Sequence, residues 1–141
     1  MPRPEIIIRM AKNDDGDAVA ALMKKADFFQ WDEWEIDWHD LEPNWLAAEI
    51  DGELVGVIQV VPARPIGRVE VLTIDPDLST IRKYRIMKAL TQHAMAVVKM
   101  YGAQAVSGII PYRYKDYLHG SQKRGWWEEI DSGAIVMGRL A

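Results

Sequence analysis

A chain of 141 residues, 49% apolar and 27% charged, is long enough to bury its own core and has the make-up of one ordinary globular domain, not of a repeat array or a disordered tract. The absence of cysteine excludes disulfides, thiolate nucleophiles and thiolate metal sites. A net charge of −4 disfavours nucleic-acid binding. It conceals an asymmetry, however: residues 1–64 carry 14 acids and 6 bases, whereas residues 65–141 carry 7 acids and 11 bases. An anion gripped by the second half and a cationic acceptor met by the first would produce that split, and so would chance.

Residues 5–9 read as a short strand, and Asn13 or Asp14 as the cap of a helix with Val19, Leu22, Met23 and Ala26 on its apolar side. Ile6-Ile7-Ile8 is far too short for a signal-peptide core and no later run reaches membrane-spanning length, so the sequence predicts a cytoplasmic protein that does not enter a membrane. A second helix is predicted over 28–41, because Phe28, Trp31, Trp34, Trp38 and Leu41 fall three or four apart, with Asp32, Glu33, Glu35, Asp37 and Asp40 among them. Such a stripe is usually core with a wet acidic side; the alternative is an acidic, aromatic lip that draws in a protonated amine. Pro43 closes it.

Residues 45–50 and 53–61 predict two strands joined by Asp51-Gly52, the strongest short hairpin signal. Pro62-Ala63-Arg64-Pro65 then turns the chain into a third strand over 68–74, which makes a meander. In that strand Val69, Val71 and Thr73 alternate with Glu70, Leu72 and Ile74, as in a strand buried on both faces. The period then changes. Ile86, Leu90, Val97 and Tyr101, flanked by Met87, Ala94 and Val98, mark one face of a long helix capped by Ser79 or Thr80 and stopped by Gly102. Residues 105–110 read as a strand parallel to the third, since a long helix separates them. Residues 112–123 read as an amphipathic helix weakened at Gly120, and 125–130 and 134–140 as closing strands turned at Asp131-Ser132-Gly133. The fold class is α/β (α+β): a mixed, mainly antiparallel sheet of about seven strands with helices on both faces, in a single domain over 1–141.

Arg82, Lys83, Arg85 and Lys88 crowd the first two turns of the long helix, where free N–H groups and the macrodipole disfavour each cation by roughly 0.3–1 kcal/mol. A phosphate or diphosphate there accepts those N–H groups and neutralises the cations together. The plainer alternative is a solvated basic turn screened by Asp75 and Asp77. His39, His93 and His119 show no metal-ligand spacing, so no metal is assigned, and His93 falls at the helix's apolar edge, where a partly buried, satisfied histidine is the default. There is no Ser-His-Asp arrangement, Walker loop or dinucleotide fingerprint.

The run Glu70-x-Leu72-x-Ile74-x-Pro76, followed by Arg82-x-x-x-x-x-Lys88-Ala89-Leu90, resembles motif A of the GNAT superfamily of acyl-CoA N-acyltransferases, in a degenerate basic form similar to short acetyltransferase-like proteins of tailed phages. The order strand, two helices, meander, long helix extends the resemblance over nearly the whole chain. It implies a GNAT-like fold with acetyl-CoA as cosubstrate. The backbone of Leu72, Thr73 and Ile74 would meet the pantetheine arm. Arg82, Lys83, Tyr84, Arg85, Ile86, Met87 and Lys88 would stand where the family's loop wraps the diphosphate. That loop's two small residues are Arg85 and Met87 here, and three extra residues precede Arg82.

The resemblance also implies catalytic roles. Glu70 takes the place of the general base, the alternative being an ion pair with Arg68. Ser121, four residues before Gly125-Trp126, stands where similar enzymes put a tyrosine acid; Tyr117, one turn earlier, is the substitute, with Tyr114 behind it. Two readings result. Glu70, Arg82 and the basic helix start favour an N-acetyltransferase acting on an amine-bearing small molecule or peptide. Arg85, Met87 and Ser121 favour a GNAT-shaped binding or structural protein without catalysis, for instance in a phage virion. A homodimer through a sheet edge is compatible with either and required by neither.

Overall fold

The structure, a computed structural model, describes residues 5–26, 36–109, 127–129 and 135–139, with side chains through residue 108. Strands β1 (Ile6–Met10), β2 (Trp45–Ile50), β3 (Glu53–Val61), β4 (Ile66–Ile74), β5 (Ala105–Ile109), β6 (Trp127–Glu129) and β7 (Ile135–Arg139) hydrogen-bond in the order β1-β2-β3-β4-β5-β7-β6. Helix α1 (Gly16–Lys25) follows a 3-10 turn at Asn13–Asp15, and α2 (Thr80–Met100) joins β4 to β5. The class is a mixed α/β sheet with flanking helices. Two compact units make up the chain, Met1–Ile58 with Thr73–Leu90 and Gln59–Leu72 with Thr91–Ala141, and β3, β4 and α2 contribute residues to both.

In the first unit β1 runs antiparallel to β2, from Ile6↔Ile50 to Met10↔Leu46. The β2–β3 hairpin has its expected turn: Asp51 at φ 51° and Gly52 at φ 80° are both left-handed, which is the type I′ geometry that matches strand twist. Val19, Leu22, Met23 and Ala26 of the α1 segment are buried as their spacing predicts, together with Ala47, Ala48, Val57 and Ile58. The Arg9 guanidinium grips Asp15 with two bonds of 2.7 and 2.9 Å and Glu49 with one of 3.1 Å, tying β1 to the 3-10 turn and to β2.

The predicted helix over 28–41 is not helical at its described end. Residues 36–41 form a turn around Trp38 and His39 because side chains capture the N–H groups a helix needs. Asp37 Oδ1 accepts His39 N–H at 2.9 Å, and Asn13 Oδ1 accepts the N–H groups of Leu41 and Glu42 at 2.9 and 3.0 Å. Asn13 is thereby diverted from capping α1. Trp38 and Leu41 are nonetheless buried, and Trp38 meets Trp45 edge-on at 5.8 Å, so this end of the aromatic stripe is core. Phe28, Trp31 and Trp34 lie outside the described residues.

In the second unit β4 pairs in parallel with β5 from Ile66↔Ala105 to Val69↔Gly108, β5 pairs antiparallel with β7, and β7 with β6. The last strand in sequence is thus the inner one of the closing pair. Gly67 lies under α2 so closely that a Cβ there would stand 2.9 Å from Val98 Cβ. The helix stops at the predicted place: Gly102 has φ +94°, its N–H reaches Lys99 O at 2.9 Å, and Ala103 N–H reaches Val98 O at 3.1 Å, the paired bonds of a Schellman ending. Tyr101 departs from the predicted apolar face. It is 57% exposed because α2 ends at Met100 and the left-handed turn leads the chain away. His93 is exposed as well, not partly buried. The predicted helix over 112–123 and the turn at 131–133 lie outside the described residues.

Candidate functional site

The alternation read for β4 holds only as far as Glu70. Gly67 and Val69 are buried and Arg68 is exposed, but Leu72, Thr73 and Ile74 are then buried one after another. The break is at Val71, whose φ of 58° is a strained value for a β-branched residue. One residue out of the pleat shifts the phase of every later side chain, bends the strand and re-aims it, which is how a β-bulge acts. Among the described residues, pairing with β5 runs only to Val69↔Gly108, just before, while β4 continues to Ile74. Glu70 stands at this departure point with its side chain 27% exposed and Oε1 3.8 Å from Arg68 Nε. That pair is loose, with the Arg68 side chain 55% exposed, so it leaves Glu70 without a tight ionic partner among the described residues.

After β4 the chain makes a short acidic loop and enters α2. Ser79 is the cap: its Oγ accepts Arg82 N–H at 3.3 Å and its carbonyl accepts Lys83 N–H at 2.9 Å. The N–H groups of Thr80 and Ile81 belong to the first turn, where no intrahelical carbonyl is available, and no acceptor for them occurs among the described residues. Arg82 is exposed, and Lys83, Tyr84, Arg85 and Lys88 are half-buried. Because α2 begins at Thr80, Lys88 falls in the third turn, not in the first two.

Among the described residues no carboxylate is within ion-pair distance of Arg82, Lys83 or Arg85. Asp75 and Asp77, the expected screen, are instead bridged by Lys25 Nζ at 2.9 Å each. Burial opposes ionisation of Asp75, but hydrogen bonds from Lys25 and from Asp77 N–H outweigh it and hold the carboxyl below its ordinary pKa, with Lys83 adding at longer range. Its hydrogen bonds to the carboxylates of Asp75 and Asp77 raise Lys25 above the usual lysine value.

Ile86 and Met87 are buried in the core. A Cβ on Gly56 would stand 3.0 Å from Ile86 Cγ2 and 3.1 Å from Leu90 Cδ1, so this turn of α2 rests tightly on β3. The side chains of Leu72, Thr73 and Ile74 are buried too, and Thr73 Oγ1 donates to Met23 Sδ at 3.4 Å. The side chains of these three residues are therefore not ones that a ligand could meet. Tyr117 and Ser121 lie outside the described residues. Among the described residues there is no group of three metal-ligating side chains, and no helix is long and apolar enough to cross a membrane.

Two features escaped the sequence. Nothing in Val69-Glu70-Val71-Leu72 announces a left-handed valine, a residue type that avoids that region. Lys25 carries only the signal of a cation in a helix's last turn, and its partners are some fifty residues away.

No protein-family model matches the chain, and no curated protein sequence matches it. Solved structures do. The chain is similar to diaminobutyrate acetyltransferase EctA from Paenibacillus lautus, in complex with L-2,4-diaminobutyric acid and coenzyme A, at 14% identity and a TM-score of 0.75 over 99% of this chain and 98% of that one. It is similar to the PaiA N-acetyltransferase of Thermoplasma acidophilum, in complex with coenzyme A, at 14% identity and a TM-score of 0.69 over 97% and 99% of the two chains. It is also similar to an acetyltransferase of the GNAT family from Staphylococcus aureus Mu50 at 14% identity and a TM-score of 0.71, covering 97% and 100%. Nothing in these likenesses supports the phage-protein part of the resemblance. At such identities they establish architecture: the chain has the fold of the GNAT acetyltransferases.

Proposed function

We propose that this chain is an acetyl-CoA-dependent N-acetyltransferase that acts on the amine of a small molecule or peptide. The mouth of α2 carries the reading: the N–H groups of Thr80 and Ile81, and the side chains of Arg82, Lys83 and Arg85, have no anionic partner among the described residues. A diphosphate satisfies both sets together. The shared fold supports the reading, since similar structures hold coenzyme A. In it Arg82 and Lys83 meet the diphosphate, Tyr84, Arg85 and Lys88 extend the site along the helix, and buried Ile86 and Met87 anchor it from behind. The backbone of Leu72, Thr73 and Ile74, beyond the bulge, borders the pantetheine arm.

Acetyl-CoA supplies a thioester already activated toward an amine. Glu70 accepts the proton that the acceptor's ammonium must lose, directly or through water, freeing the lone pair that bonds to the acyl carbon. Tyr117 or Ser121 gives a proton to the departing thiolate as the C–S bond breaks and regains one from the nitrogen, which loses its second proton as it becomes the amide. The acidic first half of the chain raises the local concentration of a cationic acceptor. Residues 1–141 act as one domain in the cytoplasm in this account.

Thiol release from acetyl-CoA across a panel of polyamines and peptides tests the proposal. The expected result is amine-dependent turnover that falls by about a hundredfold or more in Glu70→Gln. No acetylated product with any amine would reject it. One observation favours a second reading, a GNAT-fold binding or structural protein without catalysis, whether in a cell or in a phage particle. Helix α2 runs unbroken through Arg85 and Met87, where the family's loop has small residues. Acetyl-CoA binding without thiol release would select that reading.

A further inference from the structure

We propose that Lys25 is a positioning residue for the anion site at the start of α2: by bridging Asp75 and Asp77 it withdraws two carboxylates from the field that an incoming diphosphate meets. This rests on the reading of the α2 mouth as a diphosphate site. Asp75 and Asp77 precede the capping Ser79 by four and two residues, close enough for their charges to complement the helix dipole themselves and to compete with any anionic ligand. One ammonium at 2.9 Å from both cancels half of that charge and engages an oxygen of each acid.

The loop does not need Lys25 for its shape. Asp75 Oδ1 accepts Asp77 N–H at 3.0 Å, Asp75 N–H donates to Val55 O at 2.8 Å, and Leu78 N–H donates to Asp75 O at 3.4 Å. These bonds fix the turn through backbone groups and one side-chain oxygen that an asparagine also provides. What Lys25 adds beyond them is charge. The arrangement therefore separates two tasks: backbone bonds set the geometry of the loop, and a lysine from α1 halves its negative charge.

The experiment is acetyl-CoA affinity by calorimetry, at low and high salt, for the parent protein and four variants, each checked for folding by its melting curve without ligand. Lys25→Met is expected to bind about tenfold more weakly at low salt, and the gap should narrow as salt screens the exposed carboxylates. Lys25→Arg should bind like the parent. The triple variant Lys25→Met, Asp75→Asn, Asp77→Asn should bind at least as tightly as the parent, because both acids are gone. Asp75→Asn with Asp77→Asn and Lys25 intact should bind more tightly than the parent, and this arm holds even if Lys25→Met does not fold. Parent-like affinity in Lys25→Met, a triple variant that recovers nothing, or a double variant no tighter than the parent each overturns the role of Lys25 while leaving the diphosphate site standing. A parent protein that does not bind acetyl-CoA at all overturns both.

Discussion

Gly56 is the point at which the seating of α2 on the sheet can be tested by a single carbon atom. A methyl group there would lie 3.0 Å from Ile86 Cγ2, 3.1 Å from Leu90 Cδ1 and 3.4 Å from Thr73 O. Ile86 and Leu90 are both fully buried and cannot swing aside into solvent, so the helix or the strand must yield. Overpacking of this kind costs about 1–3 kcal/mol. Against it stands a gain of about 0.4–1 kcal/mol from the stiffer unfolded chain. Packing wins, and Gly56→Ala should destabilise by about 1–2 kcal/mol, a fall in Tm of roughly 3–6 °C for a chain of this size. Ile86→Ala alone should cost about 2–5 kcal/mol, but it removes the nearest clash. In that background Gly56→Ala should cost less, since only the Leu90 contact at 3.1 Å is left to relieve, a coupling of about 1 kcal/mol. Urea unfolding of the four proteins, with m-values unchanged, gives the cycle. A Gly56→Ala variant as stable as the parent, or one costing the same in both backgrounds, would refute this account of how α2 is seated.

Three further outcomes are expected. Hydrogen bonds from Arg9, aided by Lys12 N–H and opposed by burial, hold Asp15 below its ordinary value of 3.8. The stabilisation is therefore complete above that pH and is lost as pH falls through the depressed folded value, so Arg9→Met should flatten the acid limb of the stability curve; an unchanged limb by urea titration between about pH 5 and pH 2 would contradict it. At Gly102, φ is +94° and an added Cβ would meet only the flexible Arg64 side chain, at 2.8 Å. Backbone strain decides there, and Gly102→Ala should lower stability by about 1–2 kcal/mol, whereas a thermal melt unchanged from the parent would show that the helix ending tolerates another geometry. Val71→Gly should not destabilise in proportion to the side chain it loses, because it relieves a left-handed valine worth about 1–3 kcal/mol of strain; a loss above about 3 kcal/mol, typical of a well-seated core valine, would place Val71 on the wrong side of that balance.

The parts of the fold legible in the sequence are those written in short-range chemistry. Asp51-Gly52 admits few turns other than the one observed, Gly102 ends α2 because a left-handed residue is needed there, and the three-and-four spacing of Val19, Leu22, Met23 and Ala26 survives as a buried stripe. Where distant partners intervene, legibility fails. The helical spacing of Trp38 and Leu41 is overridden by Asn13, whose side chain takes N–H groups 28 and 29 residues away. The insertion of β7 between β5 and β6 has no local signature. The same division runs through the candidate site. The cations of α2 and the cap at Ser79 could be read directly, but the neutralising Lys25 and the strained Val71 belong to tertiary structure. The burial of Ile86 and Met87 follows from the three-and-four spacing that puts them on the apolar face of α2.

The measurement that bears most directly on the central claim is acetyl-CoA binding to the parent protein and to Arg82→Glu, followed by thermal stabilisation and calorimetry, with acetyl-pantetheine, which lacks the diphosphate, as the control ligand. The account predicts that acetyl-CoA at about 100 times its Kd stabilises the parent by roughly 2.7 kcal/mol, that Arg82→Glu weakens this binding by about tenfold or more, and that acetyl-pantetheine does not distinguish the two proteins. Absence of stabilisation at millimolar acetyl-CoA, or equal affinity in the two proteins, would contradict it.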